Sequence, residues 1–335
     1  MRQVPQCLQG NSQIFKFFSL SAYHSRLKKH FSPYQQIKMI RNEDAQSFIN
    51  NLKIEETNET VSDSTKSRHL TQSKRIFNVA KEWGYIRKNP FEGIRIGKIR
   101  KQNWHIITIE EFSLILNAVD KYVRVTKKDI NAYNLRILRL KTFYSLMYYC
   151  GLRFGEAANL LWDSNNIDFV NNQINLCNRP AQPDLPPFDL KDYESRSVPI
   201  PEKVMTILLE LQEKSEQGNP FVFLSKKSYE RVVVSWKTHQ KEGREDWNSK
   251  KLITDARRDF KCFCQKAGIK TNDKINIHSL RKAYGTNLAN LGIPPHTLKD
   301  LMGHSKVTTT MEYYVKTVDE NKRAAAEKLN QIAIV

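Results

Sequence analysis

The sequence predicts a mainly α-helical protein of two domains, with one small antiparallel β-sheet in the second. Three observations carry that expectation. The chain has 335 residues, 40% of them apolar, long for one core and sufficient for two. Helical signals dominate on both sides of position 100, whereas strand-like runs gather between positions 167 and 200. Between Gly93 and Asn103 the chain is basic, contains glycine and has no helical periodicity. The domains are therefore placed at residues 1–95 and 105–335, joined by a basic linker at 96–104.

In chain order, residues 22–31 are expected as a short basic helix. Asn42 is expected to cap a helix through Phe48, Ile49 and Leu52, and Ser64 to cap a longer one. That third helix would carry Leu70, Ile76, Phe77, Ala80 and Trp83 on one face and stop at Gly84. After the linker, Thr108 and Glu111 make a capping-box start. Residues 135–150 read as a long apolar helix, interrupted by Arg136, Arg139 and Lys141 and closed by Gly151. Strands are expected at 167–170, 173–177 and 197–200, with a turn at Asn171-Asn172 and a proline-rich insertion at 180–187. Residues 202–211 are expected to be helical and 221–224 a short buried segment, while 231–251 carry no assignable pattern. Helices then follow one another from Thr254, ending in a helix over 319–332 whose alanines and alternating charges suit packing or reaching a neighbour.

Charge narrows the partner. The chain holds 54 Lys and Arg against 35 Asp and Glu, a net of +19, and clustered cations of this kind neutralise phosphates and release condensed counterions. The excess is spread along the chain: residues 1–103 have 19 basic against 8 acidic residues, leaving 35 against 27 for the remainder. This distribution suits a protein that surrounds a nucleic-acid ligand better than a neutral enzyme with a basic tail. Five irregularly spaced cysteines indicate neither a disulfide framework nor a four-ligand zinc site, so a reducing compartment is expected. No apolar run reaches 18 residues, which argues against a membrane span and for a cytoplasmic protein. Residues 1–42, with seven Lys or Arg and no acid, share a composition with transit segments, but a basic segment lying on DNA needs no further assumption.

The chemistry lies in a few spaced motifs. Arg153 sits in Gly151-Leu-Arg-Phe-Gly-Glu156, at a helix junction where a guanidinium can fork onto two phosphate oxygens. The simpler reading of such an arginine is an ion pair with Glu156 across its own turn. His278 and Arg281 are three apart, the spacing of one helical face, so both can address one phosphate. His304 follows a helix ended by Gly303, where it could donate to a phosphate oxygen or simply cap the helix. Tyr313 and Tyr314 point about 100° apart on a helix, so only one can face a phosphate. A phenol, with its pKa near 10, becomes an effective nucleophile when cationic neighbours stabilise the charge that develops on the phosphoryl group.

Together, Arg153-x-Gly155-Glu156, His278-x-Leu280-Arg281, Gly303-His304 and Tyr313 resemble the tyrosine recombinase, or phage integrase, family. The resemblance runs over residues 105–320 through these motifs and over 20–95 through a weaker match. It implies a helical SAM-like core-binding domain and a DNA breaking-rejoining catalytic domain closing as a clamp on duplex DNA. The implied reaction is site-specific cleavage and rejoining through a covalent 3′-phosphotyrosine, without metal, cofactor or ATP. A homo-tetramer on two paired sites is implied as well, with the helix at 319–332 docking on a neighbour. Within the resemblance Arg153, His278, Arg281 and His304 are catalytic, Tyr313, nine positions beyond His304, is the nucleophile, and Glu156 buttresses the site. Lys191, seven positions before Val198-Pro199, is the general acid for the leaving 5′-oxygen, with Arg196 as its rival.

Met302 stands where the family usually has leucine, and the insertion at 180–187 departs from the family pattern just ahead of the lysine. Two other functions share this sequence pattern: a DNA-binding clamp that has lost the reaction, and a type IB topoisomerase. A metal-dependent nuclease would need converging carboxylates beside His278 or His304, and the sequence places none there.

Overall fold

The structure, a computed structural model, describes residues 22–314 other than 33, 55–56, 98–103, 123–129, 192–193, 245–246, 248–251, 254 and 271–274. The expected helix at 319–332, the first twenty residues and most of the linker lie outside the described residues. The chain divides into two compact units, Met1–Gln102 and Asn103–Val335. Among the described residues no helix is long and apolar enough to cross a membrane.

The first unit is built on α1 (Ala22–His30), α2 (Asn42–Asn50) and α3 (Asp63–Glu82). Ser62, rather than Ser64, caps α3: its Oγ accepts from the Thr65 N–H at 3.4 Å, and Asp63 then adds a carboxylate to the first turn. Asn42 does not cap α2. Its amide donates to the carbonyls of Pro90 and Glu92, at 2.8 and 3.2 Å, tying the helix start to the segment after α3. Leu52 lies beyond the end of α2 but is buried. Trp83 is the C-terminal cap of α3 and 43% exposed. Phe91 joins the core in its stead, with its ring 4.9 Å from Phe77 and 6.1 Å from Phe48.

The second unit is organised around α5 (Ile130–Tyr149), whose residues from Thr142 to Tyr148 are all buried, as suits a helix surrounded by others. Before it, α4 (Ile109–Tyr122) starts on the predicted reciprocal cap, Glu111 N–H to Thr108 Oγ1 at 3.2 Å and Thr108 N–H to Glu111 Oε2 at 3.1 Å. The five-residue α6 (Phe154–Ala158) follows α5, and then β1 (Ile167–Asp168), β2 (Gln173–Leu176) and β3 (Arg196–Pro199) form an antiparallel sheet in that order.

Ile167, Ile174 and Val198 lie opposite one another across the three strands, and all three are buried. The first strand is shorter than expected because Asp168 Oδ1 accepts from the N–H groups of Val170 and Asn171, which diverts the backbone into a turn. The proline-rich insertion doubles back on itself through paired residues Arg179 and Phe188, and Gln182 and Leu185.

Next come α7 (Glu202–Glu213), α8 (Lys226–Lys241), α9 (Asp255–Lys266), α10 (His278–Asn290), α11 (Pro295–Met302) and α12 (Val307–Tyr314). Most of α8 shows no readable pattern in the sequence because only Trp236 and His239 of the helix are buried, which leaves no apolar stripe. Packing of α10 on α5, with α11 and α12 against α10, brings distant motifs to one end of this unit.

Candidate active site

The site begins where α5 ends. Gly151 has φ +64°, and a Cβ there would lie 2.2 Å from the ring of Tyr284 on α10, so the left-handed turn and the close approach both require glycine. The turn delivers Arg153 as the residue preceding α6. The Glu156 carboxylate accepts from the Arg153 backbone N–H at 2.7 Å and from Arg153 Nη1 at 3.0 Å. The short-range ion pair expected from sequence is therefore present. It does not exhaust the guanidinium, whose Nη2 also donates to the Gly303 carbonyl.

Glu156 is 3% exposed and holds a second arginine as well. Arg196 Nη1 reaches Oε1 at 3.0 Å and Nη2 reaches Oε2 at 2.7 Å, a two-pronged pair. Arg196 is two residues from the buried Val198, so strand alternation puts it on the inner face of β3. Its Nε donates to the Leu301 carbonyl at 3.1 Å, fastening β3 to α11. In sequence Arg196 stood out only as a rival to Lys191. The alternation with Val198 is the signal that marks it as inward-facing.

His278 opens α10 and Arg281 lies one turn later. Arg281 is 1% exposed, and its guanidinium donates to the carbonyls of Gly151 and Met302. The forks of Arg153 and Arg281 thus meet adjacent carbonyls, Gly303 and Met302, at the C-terminal end of α11. Those carbonyls have no partner within the helix and carry the negative end of its dipole. Gly303, at φ +58°, ends α11 as predicted and lets the chain turn into His304.

His304 is buried, and its Nδ1 lies 2.9 Å from Thr310 Oγ1 on α12. With the threonine hydroxyl donating, the imidazole proton sits on Nε2. The ring does not cap α11 with its side chain. It stacks against Tyr313 at 5.9 Å and 17°.

Tyr313 is 6% exposed. Its ring lies against Trp104 at 5.9 Å, and a Cβ added at Gly285 would come within 2.7 Å of it. The neighbouring Tyr314 points elsewhere, its hydroxyl donating to the Ile293 carbonyl. Trp104 was not anticipated. It also receives Lys282, whose Nζ sits 4.3 Å from the indole centre.

The field at the site is strongly positive. Burial, followed by the charges of Arg281, Arg153 and Arg196, lowers His304 to about 4. Crowding by protein atoms, then the charges of Arg281, Lys282, Arg153 and Lys191, lowers His278 to about 4, although the residue is exposed to solvent, which weakens the crowding contribution. Burial raises the Tyr313 phenol, and Arg281 and Arg153 act in the opposite direction. Burial lowers Arg281 to about 10, which leaves it charged at neutral pH. Burial raises Glu156, but the hydrogen bonds and charges of Arg196, Arg281 and Arg153 prevail and hold it below the usual carboxylate value. Lys191 is exposed, and its charge acts on His278. Direct contacts thus join Arg153, Glu156 and Arg196. Arg281 shares the end of α11 with them, His304 and Tyr313 stack beside it, and His278 and Lys191 lie within electrostatic reach. Among the described residues no group of three His, Cys, Asp or Glu side chains could hold a metal ion.

A model of the phage integrase family matches residues 93–320. A tyrosine recombinase of Thermosipho africanus is 28% identical over 322 residues, covering 93% of each chain. The ICEBs1 integrase of Bacillus subtilis is 23% identical over 312 residues, 91% of this chain and 76% of that one. Among solved structures, the Tn1549 transposon integrase in complex with transposon right end DNA superposes with a TM-score of 0.63. That match is 17% identical and covers 96% of this chain and 99% of that one. A lambda integrase dimer bound to a COC′ core site gives 0.59 at 14% identity, over 90% of this chain and 74% of that one.

Proposed function

The chain belongs to the phage integrase family, tyrosine recombinases that cleave and rejoin DNA, and from that premise we propose how its own residues carry the reaction. Tyr313 is the nucleophile, Arg153 and Arg281 bind the scissile phosphate, His304 and His278 donate to its oxygens, and Lys191 protonates the leaving group. One observation carries this assignment: two guanidiniums from remote parts of the chain donate to the adjacent carbonyls of Met302 and Gly303, beside the stacked pair of His304 and Tyr313. A DNA phosphate, with a full negative charge, is a stronger partner for these forks than neutral carbonyls.

The phenol oxygen of Tyr313 attacks phosphorus and loses its proton to water. The P–O5′ bond breaks, and its electron pair stays on O5′, which takes a proton from the Lys191 ammonium. Cationic donors fixed in place before reaction stabilise the charge that builds on the non-bridging oxygens. Glu156 does not react. It aims Arg153 from one side and Arg196 from the other. The 3′-phosphotyrosyl ester retains the energy of the broken bond, so a 5′-hydroxyl from another strand can reverse the sequence without ATP. Two such exchanges on paired sites require several active sites, and we propose a tetramer as the working assembly.

The test is a nicked duplex carrying a candidate site, incubated with protein and resolved in denaturant. An adduct formed by the wild type and by Tyr314→Phe, but absent in Tyr313→Phe, supports the assignment. Adduct retained in Tyr313→Phe, or binding without adduct in the wild type, defeats it. The rate is expected to be the same in chelator, and strict dependence on Mg²⁺ counts against the scheme. The mass of the complex with two paired sites checks the tetramer.

A further inference from the structure

We propose that Arg179 is a positioning residue for proton transfer to the leaving group, locking the base of the β2–β3 connection onto α6 so that Lys191 is held at O5′. This rests on the assignment of Lys191 as the general acid. Arg179 is buried, yet among the described residues its nitrogens meet no carboxylate in hydrogen-bonding range: Nε donates to the Pro186 carbonyl, Nη1 to the Asn159 carbonyl and Nη2 to Asn159 Oδ1, each at 3.0 Å. Its guanidinium carbon lies 5.4 Å from the Phe221 ring centre and 5.9 Å from that of Phe188. Placing a charge in such a site is costly, and a surface turn can be closed by neutral residues. What a planar fork adds is a fixed angle between the groups it joins.

The groups it joins are the two halves of the reaction. Asn159 immediately follows α6, the helix whose first turn carries Glu156 and whose preceding residue is Arg153, and its amide donates back to the Gly155 carbonyl at 2.8 Å. On the other side, Arg179 pairs with Phe188 through both backbone bonds, N–H to O at 2.8 and 3.0 Å. Asn178 Oδ1 accepts from the Leu190 N–H at 2.7 Å. Leu190 is buried, and the next residue is Lys191. A continuous run of short contacts therefore leads from the phosphate-binding arginine to the proton donor. The insertion at 180–187, which threatened to displace the lysine, is closed off by this same pair.

Positioning of a proton donor has a signature that a folding role lacks. In a 5′-bridging phosphorothiolate the leaving atom is sulfur, which departs as a thiolate, with a conjugate acid near pKa 8.5, and needs no proton. Adduct formation is measured for the wild type, Arg179→Gln and Lys191→Ala on oxygen and sulfur substrates. Arg179→Gln is expected to be about tenfold or more slower on oxygen, as for misplacement of a reacting group, and to match the wild type on sulfur. Lys191→Ala is expected to show the same pattern with a larger loss, within the roughly 10²–10⁴-fold range of general-acid catalysis. Equal loss on both substrates by Arg179→Gln, or no loss on either, overturns the positioning role while rescue of Lys191→Ala leaves the general acid standing. Failure of sulfur to rescue Lys191→Ala overturns the general-acid assignment itself, and the role of Arg179 falls with it. Should Arg179→Gln lose its melting transition, Asn178→Ala, which removes the Leu190 contact, is read in the same assay against the same outcomes.

Discussion

His304 is held neutral by burial and by three arginines, and this fixes how it responds to pH. Its folded pKa of about 4 lies below the ordinary 6.5, so between these values the unfolded chain binds a proton that the folded chain refuses. Folding therefore carries no penalty from this group above pH 6.5 and is destabilised as pH falls toward 4, by about 3 kcal/mol for a shift of this size. His304→Gln is expected to melt with a shallower fall in stability over that window than the wild type, measured by denaturant unfolding of the DNA-free protein. An identical pH slope in the two proteins contradicts the depressed imidazole. In the proposed reaction at pH 7, a neutral imidazole whose Nδ1 accepts from the Thr310 hydroxyl would present a proton at Nε2 without adding to the repulsion among the arginines.

At the scale of elements, the site is a junction of α6, β3, α10, α11 and α12, and small residues and buried ions set its tolerances. Gly285 sits in α10 beneath the Tyr313 ring, where an added Cβ would come 2.7 Å from Tyr313 and 2.8 Å from Met302 Sδ. Alanine is the better helix former by about 1 kcal/mol. The methionine can move aside, but the tyrosine ring cannot move without leaving its stack on His304, so the clash prevails. Gly285→Ala is expected to bind DNA normally and form adduct at least about tenfold more slowly, by gel assay; unchanged adduct formation refutes the packing account.

Glu156→Gln is the second expectation at this scale. Losing the carboxylate that Arg153 and Arg196 share removes the countercharge from a buried cluster, at a cost of about 3–5 kcal/mol, measured as the fall in unfolding free energy.

These junctions also explain what the sequence could disclose. Arg153 with Glu156, His278 with Arg281, and Gly303 with His304 are close neighbours along the chain, and helical spacing alone says which of them share a face. Glu156 with Arg196, and Asn159 with Arg179, are 40 and 20 positions apart, and only the folding of β3 and the insertion onto α6 brings them together. Tyr313 and Tyr314 are equivalent in composition and were separated by resemblance. In the structure the separation is physical, since one ring stacks on His304 while the other hydroxyl is spent on Ile293. The helix α8 was illegible because it buries so little of its surface. Trp83 was misplaced because a periodic face says where a side chain points and cannot say where the core ends.

For the whole molecule, each unit has its own hydrophobic core, Phe31, Phe48, Phe77 and Phe91 in one, Phe112, Phe143, Tyr148 and Phe260 in the other. Residues 103–335 are accordingly expected to fold without the first 102 and to melt cooperatively. Their chemistry should survive, because every proposed site residue lies in this fragment. Their affinity should not. The first unit holds 19 of the 54 basic residues against 8 of the 35 acidic ones, and each phosphate neutralised contributes about −0.9 to the slope of log affinity against log salt. The fragment is therefore expected to bind a duplex site more weakly and with a shallower salt slope than the full chain. At saturating protein it should still form the Tyr313 adduct. Fluorescence anisotropy across a salt series measures both quantities. A slope identical to that of the full chain means the first unit contacts no phosphate and its positive charge serves something other than DNA. A fragment that binds but forms no adduct at saturation means a group outside residues 103–335 completes the site.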